Sequence, residues 1–137
     1  MSDTVNPNET STITGRTEGF RIEEERPAGS DVVLFALYGE VDLHVAPELR
    51  DSLAIAIDGG ADYVVLDLSR VTFIDSMALG VLLAALKRLR PRGGELRLVV
   101  PDNDLRRIFE ITLLDQAFTL NPTRQEALAA FTEPWGS

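Results

Sequence analysis

The 137 residues carry 45% hydrophobic and 26% charged side chains, enough to close one hydrophobic core but hardly two. A formal net charge of -9 argues against a nucleic-acid binder, because phosphate backbones are held by surplus Lys and Arg. The absence of cysteine and the single histidine, His44, exclude disulfides, thiolate metal sites, histidine metal clusters and cysteine nucleophiles, so no cofactor or metal is expected. No apolar run approaches the roughly 18 residues of a membrane span. The opening MSDTVNPNETSTITGRTEG lacks the charged and apolar blocks of a secretory signal, and a cytoplasmic protein without membrane contact is expected.

Taken in order, residues 1–18 are rich in Ser, Thr, Asn and Glu, with Val5 and Ile13 as the sizeable aliphatics, and are expected to form a disordered polar tail. The globular domain is expected over 19–132, with 133–137 a short C-terminal tail. Phe20 and Ile22 alternate with polar residues like a half-exposed edge strand, and Arg26 to Asp31 supplies a turn. Val32 to Tyr38 (VVLFALY) reads as a strand covered on both faces, stopped by Gly39. From Pro47 the period becomes helical, with Leu49, Leu53, Ala56 and Ile57 on one face, until Gly59 and Gly60.

A second strand, Tyr63 to Leu68, leads through Ser69 to Asp75 into a helix where Leu79, Leu82, Leu83, Leu86 and Leu89 fall at steps of three and four. Pro91, Gly93 and Gly94 break it. A strand at Glu95 to Val100, a helix near Asp104 to Thr112, a short strand at Phe118 to Leu120 and a helix from about Thr123 to Phe131 complete the chain. The alternation predicts an α/β fold: a mixed, mostly parallel sheet with an antiparallel N-terminal strand pair, covered by about four helices.

The segment Val71 to Gly80 (VTFIDSMALG) joins a buried strand to an amphipathic helix. Asp75 fits an N-cap, whose carboxylate accepts from unpaired amides of the first turn, and Ser76 then takes the first helical position. A phosphate there would meet the same amides and the positive pole of the helix dipole. It would also add roughly -1.5 to -2 charge beside Asp75, which can repel a partner without unfolding the domain. An Asp-Ser pair is equally the ordinary chemistry of a helix start, so the motif alone leaves both readings open.

Three ordered blocks resemble the STAS family and, within it, bacterial anti-sigma factor antagonists. They are LYGEVDLHVAPELRDSL (Leu37 to Leu53), VVLDLSRVTFIDSMALGVLLAALKRL (Val64 to Leu89) and GGELRLVVPDNDLRRIFEITLLDQAF (Gly93 to Phe118). The resemblance implies that Ser76 is phosphorylated by an anti-sigma factor serine kinase with a histidine-kinase-like ATP-binding fold. The unphosphorylated form would bind that factor and free its sigma factor, and a metal-dependent serine phosphatase would reset the cycle. It implies further that Asp42, Asp75, Ser76, Met77 and Leu79 face the kinase, and that the ATP and Mg2+ belong to the partner. A non-enzymatic monomer or weak dimer is expected. A STAS scaffold or ligand-sensing module without phosphorylation is the alternative. Met77 and Ala78 replace the second Ser and first Gly of the family's common Asp-Ser-Ser-Gly-Leu-Gly form, and the Ala78 methyl would stand in the way of close approach.

Other chemistry is weakly supported. His44 follows Asp42 in a loop without a second histidine, and IDSMA around Ser76 lacks the glycines of a nucleophile elbow. Asp67 and Asp75 invite comparison with an aspartyl-phosphate receiver, but no adjacent acidic pair follows the first strands. The basic run Lys87, Arg88, Arg90, with Arg92 and Arg97 beyond, reads first as cations at the negative end of a helix.

Overall fold

The computed structural model describes residues 11–17, 19–101 and 104–132. Six strands among them are hydrogen-bonded in chain order: β1 (Ser11–Thr17), β2 (Phe20–Glu25), β3 (Val32–Val41), β4 (Tyr63–Ile74), β5 (Glu95–Val99) and β6 (Thr119–Asn121). β1, β2 and β3 pair antiparallel, whereas β3, β4, β5 and β6 are parallel. Each parallel step moves one strand further in the same direction, so right-handed crossovers place α1 (Ala46–Asp58), α2 (Ser76–Leu89) and α3 (Asp104–Ile111) on one face. Phe35, Leu66, Leu82 and Phe109 lie in that larger core. The other face is smaller: Leu34, Val65 and Val99 pack with Ala127 of α4 (Arg124–Thr132). Because β3 and β4 are covered on both sides, their sequences are nearly unbroken apolar runs. No helix among the described residues is long and apolar enough to cross a membrane.

A partly buried ion pair fastens α4. Asp67, only 6% exposed in the middle of β4, accepts from Ser69 N at 2.9 Å and Ser69 Oγ at 2.6 Å. It also receives Arg124 Nε at 2.9 Å and Nη2 at 2.8 Å, while Arg124 Nη1 reaches Glu25 at 3.1 Å and 3.2 Å. Partial burial disfavours the guanidinium charge, but the hydrogen bonds and charges of Asp67 and Glu25 outweigh it and raise the Arg124 pKa. One side chain at the start of α4 thereby ties β2 to β4.

Four local expectations are corrected. Ser11–Thr17, expected within a disordered polar tail, forms β1 against β2, with register from Ser11 opposite Glu25 to Thr17 opposite Phe20. Ladder pairing uses backbone groups, which a polar sequence supplies as well as an apolar one, and Thr12, Ile13, Thr14 and Thr17 have β-branched side chains suited to strands. Residues 1–10, Glu18 and residues 133–137 of the two expected tails lie outside the described residues. β2 is consequently not an edge strand, and both Phe20 and Ile22 are buried.

Nor does Gly39 end β3, which continues to Val41. Its φ of 95° and a ladder shift after it let the Gly19 carbonyl approach, where it accepts from Glu40 N at 3.0 Å. A Cβ at Gly39 would lie 2.0 Å from that oxygen. β4 runs to Ile74 rather than Leu68, so the strand delivers the chain directly to Asp75.

Candidate functional site

The parallel strands β3 and β4 finish together, with Val41 opposite Ile74, so the loop entering α1 and the start of α2 emerge side by side. Asp75 N donates to Val41 O at 3.2 Å, which links the two exits. Asp75 is extended, at φ -108° and ψ 179°, and its carboxylate accepts from Ala78 N at 3.0 Å. Its carbonyl accepts from Leu79 N at 3.0 Å, the first turn of α2. This is the N-cap that the sequence predicts. Helix geometry leaves the amides of Ser76 and Met77 without intrahelical carbonyls, beneath the positive pole of the dipole.

The first turn of α2 is divided. Ser76 is exposed and Met77 is 57% exposed, whereas Ala78 is fully buried and Leu79 is 8% exposed. Two expectations change with that division. Leu79 belongs to the main core rather than to the exposed edge of the turn, because the three-and-four spacing that makes α2 amphipathic turns it inward. The Ala78 methyl also points into the core and cannot block an approaching surface. Met77 is thus the outward-facing departure from the common family motif.

Asp42 is half-buried in the neighbouring loop. Its carboxylate accepts from His44 N at 2.9 Å, and its carbonyl accepts from Val45 N at 3.1 Å and Ala46 N at 2.9 Å. The residue therefore folds the entry to α1 in an Asx-type turn. The ring of His44 lies 3.7 Å from the same carboxylate oxygen but is mostly in solvent. Asp67 is committed to Ser69 and Arg124, and Asp75 to Ala78, so the two do not act as one acidic site.

The basic run is mostly spent within the fold. Arg88 pairs with Asp58, Arg90 donates to Ala117 O at 2.9 Å, and Arg97 pairs with Glu95 at 2.9 Å. Arg92 contacts Asp62 at 2.9 Å, Ile57 O at 3.0 Å and Ala61 O at 3.1 Å. The expected placement of Lys87 and Arg88 in the last turn of α2 is correct, with cations stitching loops as well as facing the dipole.

Sequence reading missed two exposed apolar side chains at this end, Leu43 at 56% and Phe73 at 47%. Leu43 lies two residues after Val41, and Phe73 immediately precedes Ile74. Leu43 between Asp42 and His44, outside any amphipathic period, was the available signal.

The description "STAS domain" matches residues 25–127. The anti-sigma-B factor antagonist of Listeria monocytogenes is 31% identical over 103 residues, covering 75% of this chain and 90% of that protein. An anti-sigma factor antagonist from Mycobacterium paratuberculosis superposes with a TM-score of 0.76 at 29% identity, covering 86% of this chain and 98% of the other. The phosphorylated form of SpoIIAA, a Bacillus cell fate determinant, superposes with a TM-score of 0.61 at 25% identity, covering 80% and 96% of the two chains.

Proposed function

This chain belongs to the STAS family, and from that premise we propose that it is an anti-sigma factor antagonist switched by phosphorylation of Ser76. In the unphosphorylated state it binds an anti-sigma factor serine kinase, and the sigma factor held by that kinase is freed. The kinase transfers the γ-phosphoryl group of ATP to Ser76 Oγ, whose proton leaves, and ADP remains. Phosphorylated protein is released, and a serine phosphatase restores the hydroxyl. The cycle runs in the cytoplasm, with the protein a monomer or weak dimer.

The observation that carries this reading is an exposed serine at the first position of α2, followed in the same turn by the buried residues Ala78 and Leu79. Attraction between a phosphate and the helix pole is worth about 0.3–1 kcal/mol. Repulsion from a carboxylate some 4 Å away in water is also about 1 kcal/mol per unit charge. Over a charge of roughly -1.5 to -2 the repulsion exceeds the attraction by only about 0.5–1.7 kcal/mol, small beside the roughly 5–15 kcal/mol of a folded domain, so the fold stays intact and the charge acts on whatever surface is docked there. Likeness to an antagonist solved in its phosphorylated form supports the same reading. In this reading Asp75, which precedes the hydroxyl, and Asp42, in the adjacent loop after Val41, also face the kinase, and Met77 adds an adaptable apolar contact.

The test is incubation with the anti-sigma factor kinase and ATP, followed by intact mass. Wild type gains one phosphate and Ser76→Ala gains none; an unmodified wild type overturns the reading. Met77 alone favours the second reading, a constitutive STAS scaffold or ligand-sensing module, and a complex that persists with kinase and ATP present would select it.

A further inference from the structure

Gly80 lies in the interior of α2, four residues after Ser76 and therefore on the same side of the helix, one turn further along. It is exposed and helical, and a Cβ built on it meets nothing within 4 Å. No turn, positive φ or close packing in this chain requires a glycine there, in contrast to Gly39, where a Cβ would collide with the Gly19 carbonyl. A helix-interior glycine is nonetheless intrinsically unfavourable relative to alanine, because it gains conformational entropy on unfolding and leaves backbone exposed. The fold carries this weakness beside the one hydroxyl that the proposed switch uses.

We propose that Gly80 is a specificity-determining residue of the Ser76 surface, a gap through which the kinase packs directly against the α2 backbone. This inference rests on the phosphorylation reading above. Glycine lets another backbone approach closely, and a side chain at this position would hold the partner away from Oγ. The chemistry of the occupant follows from the same end of the sheet. Met77 and, in the adjoining loop, Leu43 offer exposed apolar surface, while Asp42 and Asp75 supply negative charge. The docked element of the kinase is accordingly apolar at its centre and edged by basic side chains.

The experiment compares wild type, Gly80→Ala, Gly80→Gln and Ala130→Gln, the last an exposed α4 position used as a control. Thermal melting is measured together with the phosphorylation kcat/KM and with the affinity for the same anti-sigma factor kinase. Both Gly80 variants are expected to melt higher than wild type. Gly80→Gln should lose about tenfold or more in affinity and kcat/KM, as for a central interface contact, and Gly80→Ala less. The Ala130→Gln control should bind as wild type does. Higher melting with unchanged affinity and phosphorylation overturns the role of Gly80 and leaves Ser76 as the phosphoacceptor. Lower melting of Gly80→Ala also overturns it, because the fold would then need the glycine. If wild type is neither bound nor modified, the phosphorylation reading falls and this inference falls with it.

Discussion

The starts of α1 and α2 occupy equivalent places, each following one of two parallel strands that end in register at Val41 and Ile74. Their first turns are built differently. α1 begins after Val45, which is buried and makes no side-chain cap, with Pro47 in the first turn and the nearby carboxylate of Asp42 turned back on the loop. α2 begins after a capping aspartate and shows solvent a hydroxyl and a thioether. A helix N-terminus is thus not by itself a place for a charge. What distinguishes α2 is the separation within one turn of a capped, exposed edge, Ser76 and Met77, from a buried one, Ala78 and Leu79.

The largest effect should come from crossing that division. Leu79→Ala leaves a cavity in the main core and should destabilise by about 2–4 kcal/mol, read as a lower midpoint in urea with an unchanged slope. A loss below about 1 kcal/mol would mean that Leu79 is not the inward half of the turn. Releasing Arg124 from Asp67 by Arg124→Ala should destabilise by about 2 kcal/mol, less than a fully buried pair because the guanidinium is partly solvated. Since that contact lies on the opposite face of the sheet, phosphorylation of the folded variant should be unaffected, and a matched loss of phosphorylation would join the two regions. Asp75→Ala removes the cap and should lower stability by about 1 kcal/mol. Asp42→Ala removes the hydrogen bond to His44 N and should lower it by about 0.5–1 kcal/mol, seen as a smaller drop in the same melt. A larger loss for Asp42→Ala than for Asp75→Ala would show that the two helix starts are not held as described. Smallest of all, Ser76→Asp should shift stability by less than about 0.5 kcal/mol.

The main architecture was legible because its signals are local and long. The apolar run of β3 and the three-and-four spacing in α2 each report burial directly, and Asp75 reports its own cap. Leu79 shows where two lines of reading diverged: its spacing placed it in the core, whereas the family likeness placed it at the partner surface, and packing follows the spacing. β1 left little trace because backbone pairing does not require an apolar alternation. The contact of Arg124 with Glu25 spans 99 positions in the chain, so no window of sequence contains it. Gly39 looked like a terminator because a glycine's need for positive φ is visible only once Gly19 is beside it.

The most direct trial of the phosphorylation account is the affinity of the anti-sigma factor kinase for wild type before and after stoichiometric phosphorylation, with melting curves on the same samples. The account predicts a fall in affinity of about tenfold or more, with the domain still folded and its midpoint lowered by less than about 10 °C. Equal affinities for the two forms, or a loss of binding that accompanies unfolding of the domain, would contradict it.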